Sequence, residues 1–334
     1  MQSVTNITES TTSTSTVRVA MIGAGAMANR VHYPSLASFD DVEIAAIAEL
    51  SPERLNITAD KYGVEGRFND YRQMIEQIAP DAVYSVGPAH LMYDTWVGCL
   101  QQGVNLFVEK PLGLTLHQAD NLADLAARHG CITQVGFQRR ATPLTATLHE
   151  ECLKRGPITH AVVSFYKNQI SPFNGAVDHM LDDGTHAIDT LRWLCGGEVV
   201  DITSVVRRFG VPDINFIQAT LTFDTGAVGV LLASWSSGRR LFSIEMHAPG
   251  ICAEIDPEVA GTLYADGDTT GTQYSSQDVA GSEEFFVFGG FQAKSREFLD
   301  AVKTNTLPSS HFGDAHKTMV IAHQILAQAA LARR

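Results

Sequence analysis

The sequence predicts an α/β protein in two parts: a parallel sheet wound by crossover helices, then a domain built on an antiparallel sheet. Three observations carry this. Short apolar runs alternate with helical patterns through the first 140 residues. A glycine-rich turn follows the first run, and after Gly136 the pattern changes to long alternating stretches.

The apolar runs of the first part are 17–22, 42–48, 82–86, 104–108 and 131–135. Between them lie amphipathic stretches at 52–62, 71–78, 92–102 and 116–129, with stop signals at Gly63, Gly103 and Gly130. In the second part the alternating runs are 159–166, 199–208, 215–223, 227–234 and 242–247. Turn signals separate them (Asp224-Thr225-Gly226, Ser237-Gly238, Ala248-Pro249-Gly250), so consecutive strands should pair antiparallel. The stretch Ser236-Ser237-Gly238-Arg239-Arg240 is expected to form a hairpin turn. Helices at 183–195 and 292–303 should decorate this sheet, and a third at 314–332 closes the chain.

The chain has 334 residues, 45% of them hydrophobic and 18% charged, which suits a globular protein of two domains. Its net charge of -13, without a basic stretch, argues against nucleic acid as a partner. No apolar run approaches the length of a membrane span, so no membrane partner is expected. The five cysteines are scattered, odd in number and without CxxC spacing, as for free thiols in a reducing, cytoplasmic setting. Residues 1–16 form a Ser/Thr-rich leader, read as a disordered tail because it lacks the features of a secretory signal.

The segment after the first run reads Gly23-Ala24-Gly25-Ala26-Met27-Ala28. Gly23 permits a tight turn, Gly25 lets a pyrophosphate approach the backbone, and Ala28 is small enough for helix–strand packing. Ala26 and Met27 complete the turn as cofactor contacts. A glycine turn alone occurs in many α/β proteins. The strand before it and the repeating pattern after it favour dinucleotide binding. Glu49 ends the second run, 24 residues after Gly25, where an acidic side chain meets ribose hydroxyls and repels a 2′-phosphate. NAD is therefore expected over NADP.

The fourth run ends in Glu109-Lys110-Pro111. A lysine at the carboxyl end of a buried parallel strand sits where open α/β sheets bind ligands, and it can neutralise charge developing on a substrate oxygen. Asp182 and His186 share a helix face at a spacing of four, with Gly184 between them leaving room for a ring to approach. By itself this segment fits a helix cap and a core histidine equally well. Lys110 shifts the balance, because alcohol oxidation needs a base for the hydroxyl proton and a cation beside the forming carbonyl. Asp189 could orient the imidazole from three residues further on. Asp178 and His179, a turn earlier, and Arg139, Arg140, Tyr166 and Lys167 are further candidates for substrate contact. A metal site there lacks a third ligand at helical spacing, and none is expected.

With these residues in place, the chain resembles the glucose–fructose oxidoreductase / inositol dehydrogenase / rhizopine-catabolism (Gfo/Idh/MocA) family over nearly its whole length after the leader. Gly23-x-Gly25-x-x-Ala28, Glu109-Lys110-Pro111 and Asp182-x-Gly184-x-His186 look like its GxGxxA, EKP and DxGxH motifs. The resemblance implies a Rossmann NAD-binding domain over 17–138. It also implies a substrate-binding and oligomerisation α/β domain over 139–334, with a large, mostly antiparallel open sheet that forms homodimers or homotetramers. Lys110, Asp182 and His186 would be the catalytic set. Pro88, Glu109 and Lys110 would join Gly23, Gly25, Ala26, Met27 and Glu49 at the cofactor. Lys110, Arg139, Tyr166, Asp178, His179, Asp182 and His186 would face the substrate, a sugar, inositol or related polyol. The family's usual Thr-Pro-Asn-x-x-His stretch is replaced by Gly87-Pro88-Ala89-His90-Leu91-Met92. Two other functions fit the same fold: an NAD-retaining glycosidase or lyase, and a non-catalytic dinucleotide-binding regulator.

Overall fold

A computed structural model describes residues 16–331, so all but the last residue of the polar leader lies outside the described residues. Two sheets form among them. The first is parallel throughout, with strands β1 (Val17–Ile22), β2 (Val42–Ala48), β3 (Gly66–Phe68), β4 (Ala82–Ser85), β5 (Asn105–Val108) and β6 (Thr133–Val135). Their order, β3-β2-β1-β4-β5-β6, reverses direction at β1 and leaves a crevice at the strand carboxyl ends. Strands β1, β2, β4, β5 and β6 lie within the five apolar runs read from the sequence. β3 is a three-residue edge strand, too short to produce a pattern.

Helices cover both faces of this sheet. Tyr71–Ile78, Ala89–Gln101 and Leu116–His129 pack Met74, Trp96 and Leu122 against one face. Pro52–Tyr62 lies on the other, started by the Ser51 side chain accepting from Arg54 N and ended at left-handed Gly63.

The second sheet contains β7 (His160–Asn168), β8 (Val199–Arg207), β9 (Phe216–Phe223), β10 (Val228–Ser234), β11 (Ser236–Ala248), β12 (Ile251–Asp256), β13 (Ala260–Ala265) and β14 (Thr272–Ser275). Their order is β14-β13-β12-β11-β7-β10-β9-β8, antiparallel except where β10 runs parallel to β7. Alternate residues such as Leu231, Ala233, Ile217 and Ile244 face the helices Pro143–Leu153, Thr185–Cys195 and Phe312–Leu331. The opposite face carries no helix among the described residues.

Two expectations are corrected. No hairpin forms at 236–240: the chain crosses the end of β7 at Trp235, and β11 runs on through those residues with a register shift against β7. Nor does the helix at Phe291–Thr304 decorate the second sheet. It crosses back to the parallel sheet, where Phe298 packs edge-on against the stacked Tyr84 and Phe107 rings, and Arg296 and Lys303 pair with Asp41. Burying one such phenylalanine contributes roughly 1.5–3 kcal/mol. Amphipathic spacing shows that a helix has an apolar face, not which sheet receives it.

Candidate active site

The glycine turn fits a dinucleotide. Gly23 adopts φ 103°, and a Cβ there would lie 2.1 Å from the Val86 carbonyl oxygen, so no other residue fits this turn. At Gly25 a Cβ would meet nothing within 4 Å, leaving the backbone open to a ligand. The Tyr33 hydroxyl donates to the Gly23 carbonyl (3.1 Å) and braces the turn. Ala26 and Met27 are exposed at the opening of the following helix, where N–H groups favour anionic phosphates, and Ala28 is fully buried against the sheet.

A cleft of about 790 Å³ runs from this turn across the strand ends. Gly23, Gly25, Glu49, Arg54, Arg72 and Pro88 are among its walls. The Glu49 carboxylate accepts from Ala24 N (2.9 Å), Ser51 N (2.9 Å) and Arg54 Nη2 (2.6 Å). Burial pushes its pKa up, but these hydrogen bonds outweigh burial and hold it below the usual carboxylate value. Glu49 therefore stays ionised at the cleft wall. Arg54, its partner, carried no motif in the sequence. Pro88 caps the next helix. His90 points outward, and the Met92 sulfur packs against Gly87, where a Cβ would lie 2.6 Å away.

Lys110 follows β5. Its ammonium donates to the Asp182 backbone carbonyl and to Asp182 Oδ1 (3.2 Å). Asp182 lies in a π-helical segment, Met180–Gly184, that runs directly into the helix Thr185–Cys195 carrying His186. His186 is 8% exposed, packs edge-on to Phe137, and has a buried Nδ1 without a partner among the described residues. Burial, then the charges of Lys110, Arg139, Lys167 and Arg240, lower its pKa well below the usual histidine value. The imidazole is thus held unprotonated beside Lys110.

The remaining candidates take different places. Arg139 is buried, its guanidinium 3.7 Å from the Phe242 ring centre and 3.4 Å from Glu258, and desolvation lowers its pKa to about 10. Lys167 pairs with Asp183, which also accepts from Trp235 Nε1 (2.9 Å). Tyr166 is not brought to this group: it shares the helix-free sheet face with Ser164, whose hydroxyl it contacts at 3.3 Å. Asp178 is exposed and accepts from Leu181 N. His179 is buried and stacked between Phe173 and Trp235, each 4.5 Å away.

Two inferences about the second motif fail. The space beside Gly184 is taken by the Met180 sulfur, 2.7 Å from where a Cβ would stand, so this glycine serves packing rather than ligand approach. Asp189 does not orient His186. Its carboxylate accepts a two-pronged hydrogen bond from Arg140 (2.7 and 2.5 Å), which also reaches Asp314, and Asp314 in turn pairs with Arg192. This buried cluster ties the His186 helix to the turn after β6 and to the last helix. A guanidinium fork matches a carboxylate better than one imidazole nitrogen does.

Comparisons with known proteins agree with the two-domain fold. Residues 17–137 match the GFO_IDH_MocA family, described as an oxidoreductase family with an NAD-binding Rossmann fold. Residues 167–249 match the GFO/IDH/MocA C-terminal domain. The rhizopine catabolism protein MocA of Rhizobium meliloti is 30% identical over 235 residues, covering 67% of this chain and 71% of that protein. Myo-inositol 2-dehydrogenase of Thermotoga maritima is 23% identical over 327 residues, covering 92% of this chain and 94% of the relative. A dehydrogenase structure from Chromobacterium violaceum superposes with a TM-score of 0.87 at 22% identity, covering 96% of this chain and 97% of that one.

Proposed function

The chain belongs to the Gfo/Idh/MocA family of NAD-binding oxidoreductases, and from that premise we propose that it oxidises or reduces a ring carbon of a sugar, inositol or related polyol. The observation that carries this reading is the meeting of Lys110 with Asp182 beside an unprotonated His186. NAD, when bound, accepts or returns the hydride. Lys110 holds the substrate hydroxyl oxygen and stabilises its developing charge. Asp182 holds Lys110 in place and contacts the substrate. Nε2 of His186 takes the hydroxyl proton, since Nδ1 is enclosed, and returns it in the reductive direction. The cations that keep the imidazole unprotonated also favour an alkoxide-like oxygen, so both sides of the proton transfer are matched.

The similarity to a myo-inositol dehydrogenase over nearly the full chain supports a polyol substrate. We place the protein in the cytoplasm, on the ground of its five free cysteines. No helix of the described residues is long and apolar enough to cross a membrane. We also propose a homodimer or homotetramer formed through the helix-free sheet face, where Val162, Val228, Val230 and Leu232 remain half-exposed. The test is a panel of polyols and sugars with NAD, followed by nicotinamide absorbance. Reduction with at least one ring polyol is expected, and none with any member would overturn the substrate class.

A further inference from the structure

Two π-helical segments occur among the described residues, Ala28–His32 and Met180–Gly184. Such turns concentrate at functional sites, because the extra residue re-aims a side chain. The second presents Asp182 to Lys110. The first carries His32, a residue the sequence reading passed over.

His32 is 1% exposed and caged by rings, with Phe107 at 5.4 Å, Tyr84 at 6.1 Å and Phe291 at 6.2 Å. Its Nε2 lies 2.7 Å from Glu109 Oε1, while its Nδ1 is buried without a partner among the described residues. A ring-lined cage would accept an apolar side chain without the cost of a stranded polar atom. Among the described residues, the imidazole's one hydrogen bond is with the residue immediately before Lys110. Glu109 is confined from the other side as well: a Cβ on Gly136 would lie 2.9 Å from the same oxygen. The second Glu109 oxygen has no hydrogen-bond partner among the described residues, and the side chain keeps 15% exposure.

We propose that His32 is a positioning residue for cofactor recognition. By fixing one Glu109 oxygen, it presents the other to a hydroxyl of the nicotinamide-side ribose of NAD(H). Because His32 rides on the helix that opens at the glycine turn, the arrangement ties the pyrophosphate end of the cofactor site to the strand end that carries Lys110. This inference rests on the NAD-binding reading above.

The test is fluorescence titration with NADH, set beside calorimetric titration with ADP, which lacks the nicotinamide half. His32→Phe fills the cage without a donor, whereas His32→Gln keeps an N–H near the position of Nε2. His32→Phe should bind NADH about tenfold or more weakly, the loss expected for a hydrogen bond to a charged group, and bind ADP as the wild type does. His32→Gln should recover most of the NADH affinity. Should His32→Phe not fold, Glu109→Gln takes the same two titrations and should likewise weaken NADH but not ADP. Unchanged NADH binding in these variants, or equal loss of NADH and ADP, would overturn the proposal. A wild-type protein that binds ADP and NADH no better than a control protein would instead overturn the NAD-binding reading beneath it.

Discussion

Lys110 and Asp182 stand 72 positions apart, yet one ammonium bridges the backbone carbonyl and the carboxylate of the same aspartate. The contact joins the end of β5 to the π-helical entry of the His186 helix. The ammonium and the buried imidazole are thus carried by elements in direct contact, and the first predictions test each of them.

Replacing Lys110 with Met should cut kcat by two to three orders of magnitude, about 3–4 kcal/mol, as for loss of a positioned donor to a developing oxyanion. Circular dichroism and Tm should change little, since the ammonium is partly exposed. Steady-state kinetics with the oxidised polyol checks this.

His186→Asn should abolish turnover while leaving NADH affinity within a few-fold. In the wild type, the acid limb of kcat/KM should lie well below pH 6.5, because burial and the surrounding cations lower the pKa of His186. A limb at or above that value would mean that another group serves as the base.

Stability should also fall in acid. Burial lowers the pKa values of His149, His179 and His186, so the folded protein keeps them unprotonated while the unfolded chain takes up protons. Stability is then full above about pH 6.5 and declines as the pH drops through that value. Each such histidine contributes at most about 1.4 kcal/mol per pH unit. Denaturant unfolding between pH 7.5 and 5 (roughly the range in which such a group titrates) measures the slope.

Cofactor preference should turn on Glu49 and its partner. Glu49→Ser removes the carboxylate that holds Arg54 at 2.6 Å, freeing a guanidinium at the cleft wall for a 2′-phosphate. The ratio of kcat/KM for NAD over NADP should fall, and further when Leu50→Arg is added. An unchanged ratio would place Glu49 outside the ribose site.

Asp189→Ala should lower stability by about 3–5 kcal/mol, the usual cost of stranding one partner of a buried ion pair. Because Arg140 then no longer anchors the His186 helix through this aspartate, kcat should drop as well. Thermal denaturation beside kinetics separates this variant from His186→Asn, which should leave Tm far less affected.

The sequence made the parallel sheet legible because strands buried on both faces leave continuous apolar runs, and helices such as Pro52–Tyr62 carry their own start and stop residues. The three motifs likewise marked Gly23, Gly25, Lys110, Asp182 and His186. Contacts made between elements left no such trace. Asp189 has helical spacing to His186, yet a guanidinium from the turn after β6 claims it. His32 stands on a helix whose π-turn changes its phase, so regular spacing could not show that it faces Glu109. The strands β12 to β14 were missed because short antiparallel segments with mixed polarity resemble loops.

The most direct test of the central claim mixes the protein with excess NAD and a panel of polyols and glycosides, following nicotinamide absorbance and released aglycone together. Net hydride transfer with exchangeable cofactor predicts NADH formed in proportion to polyol oxidised, many equivalents per protein, and no aglycone. Aglycone released without net NADH, from protein whose NAD survives gel filtration, would contradict it and identify a glycosidase that oxidises its substrate only transiently.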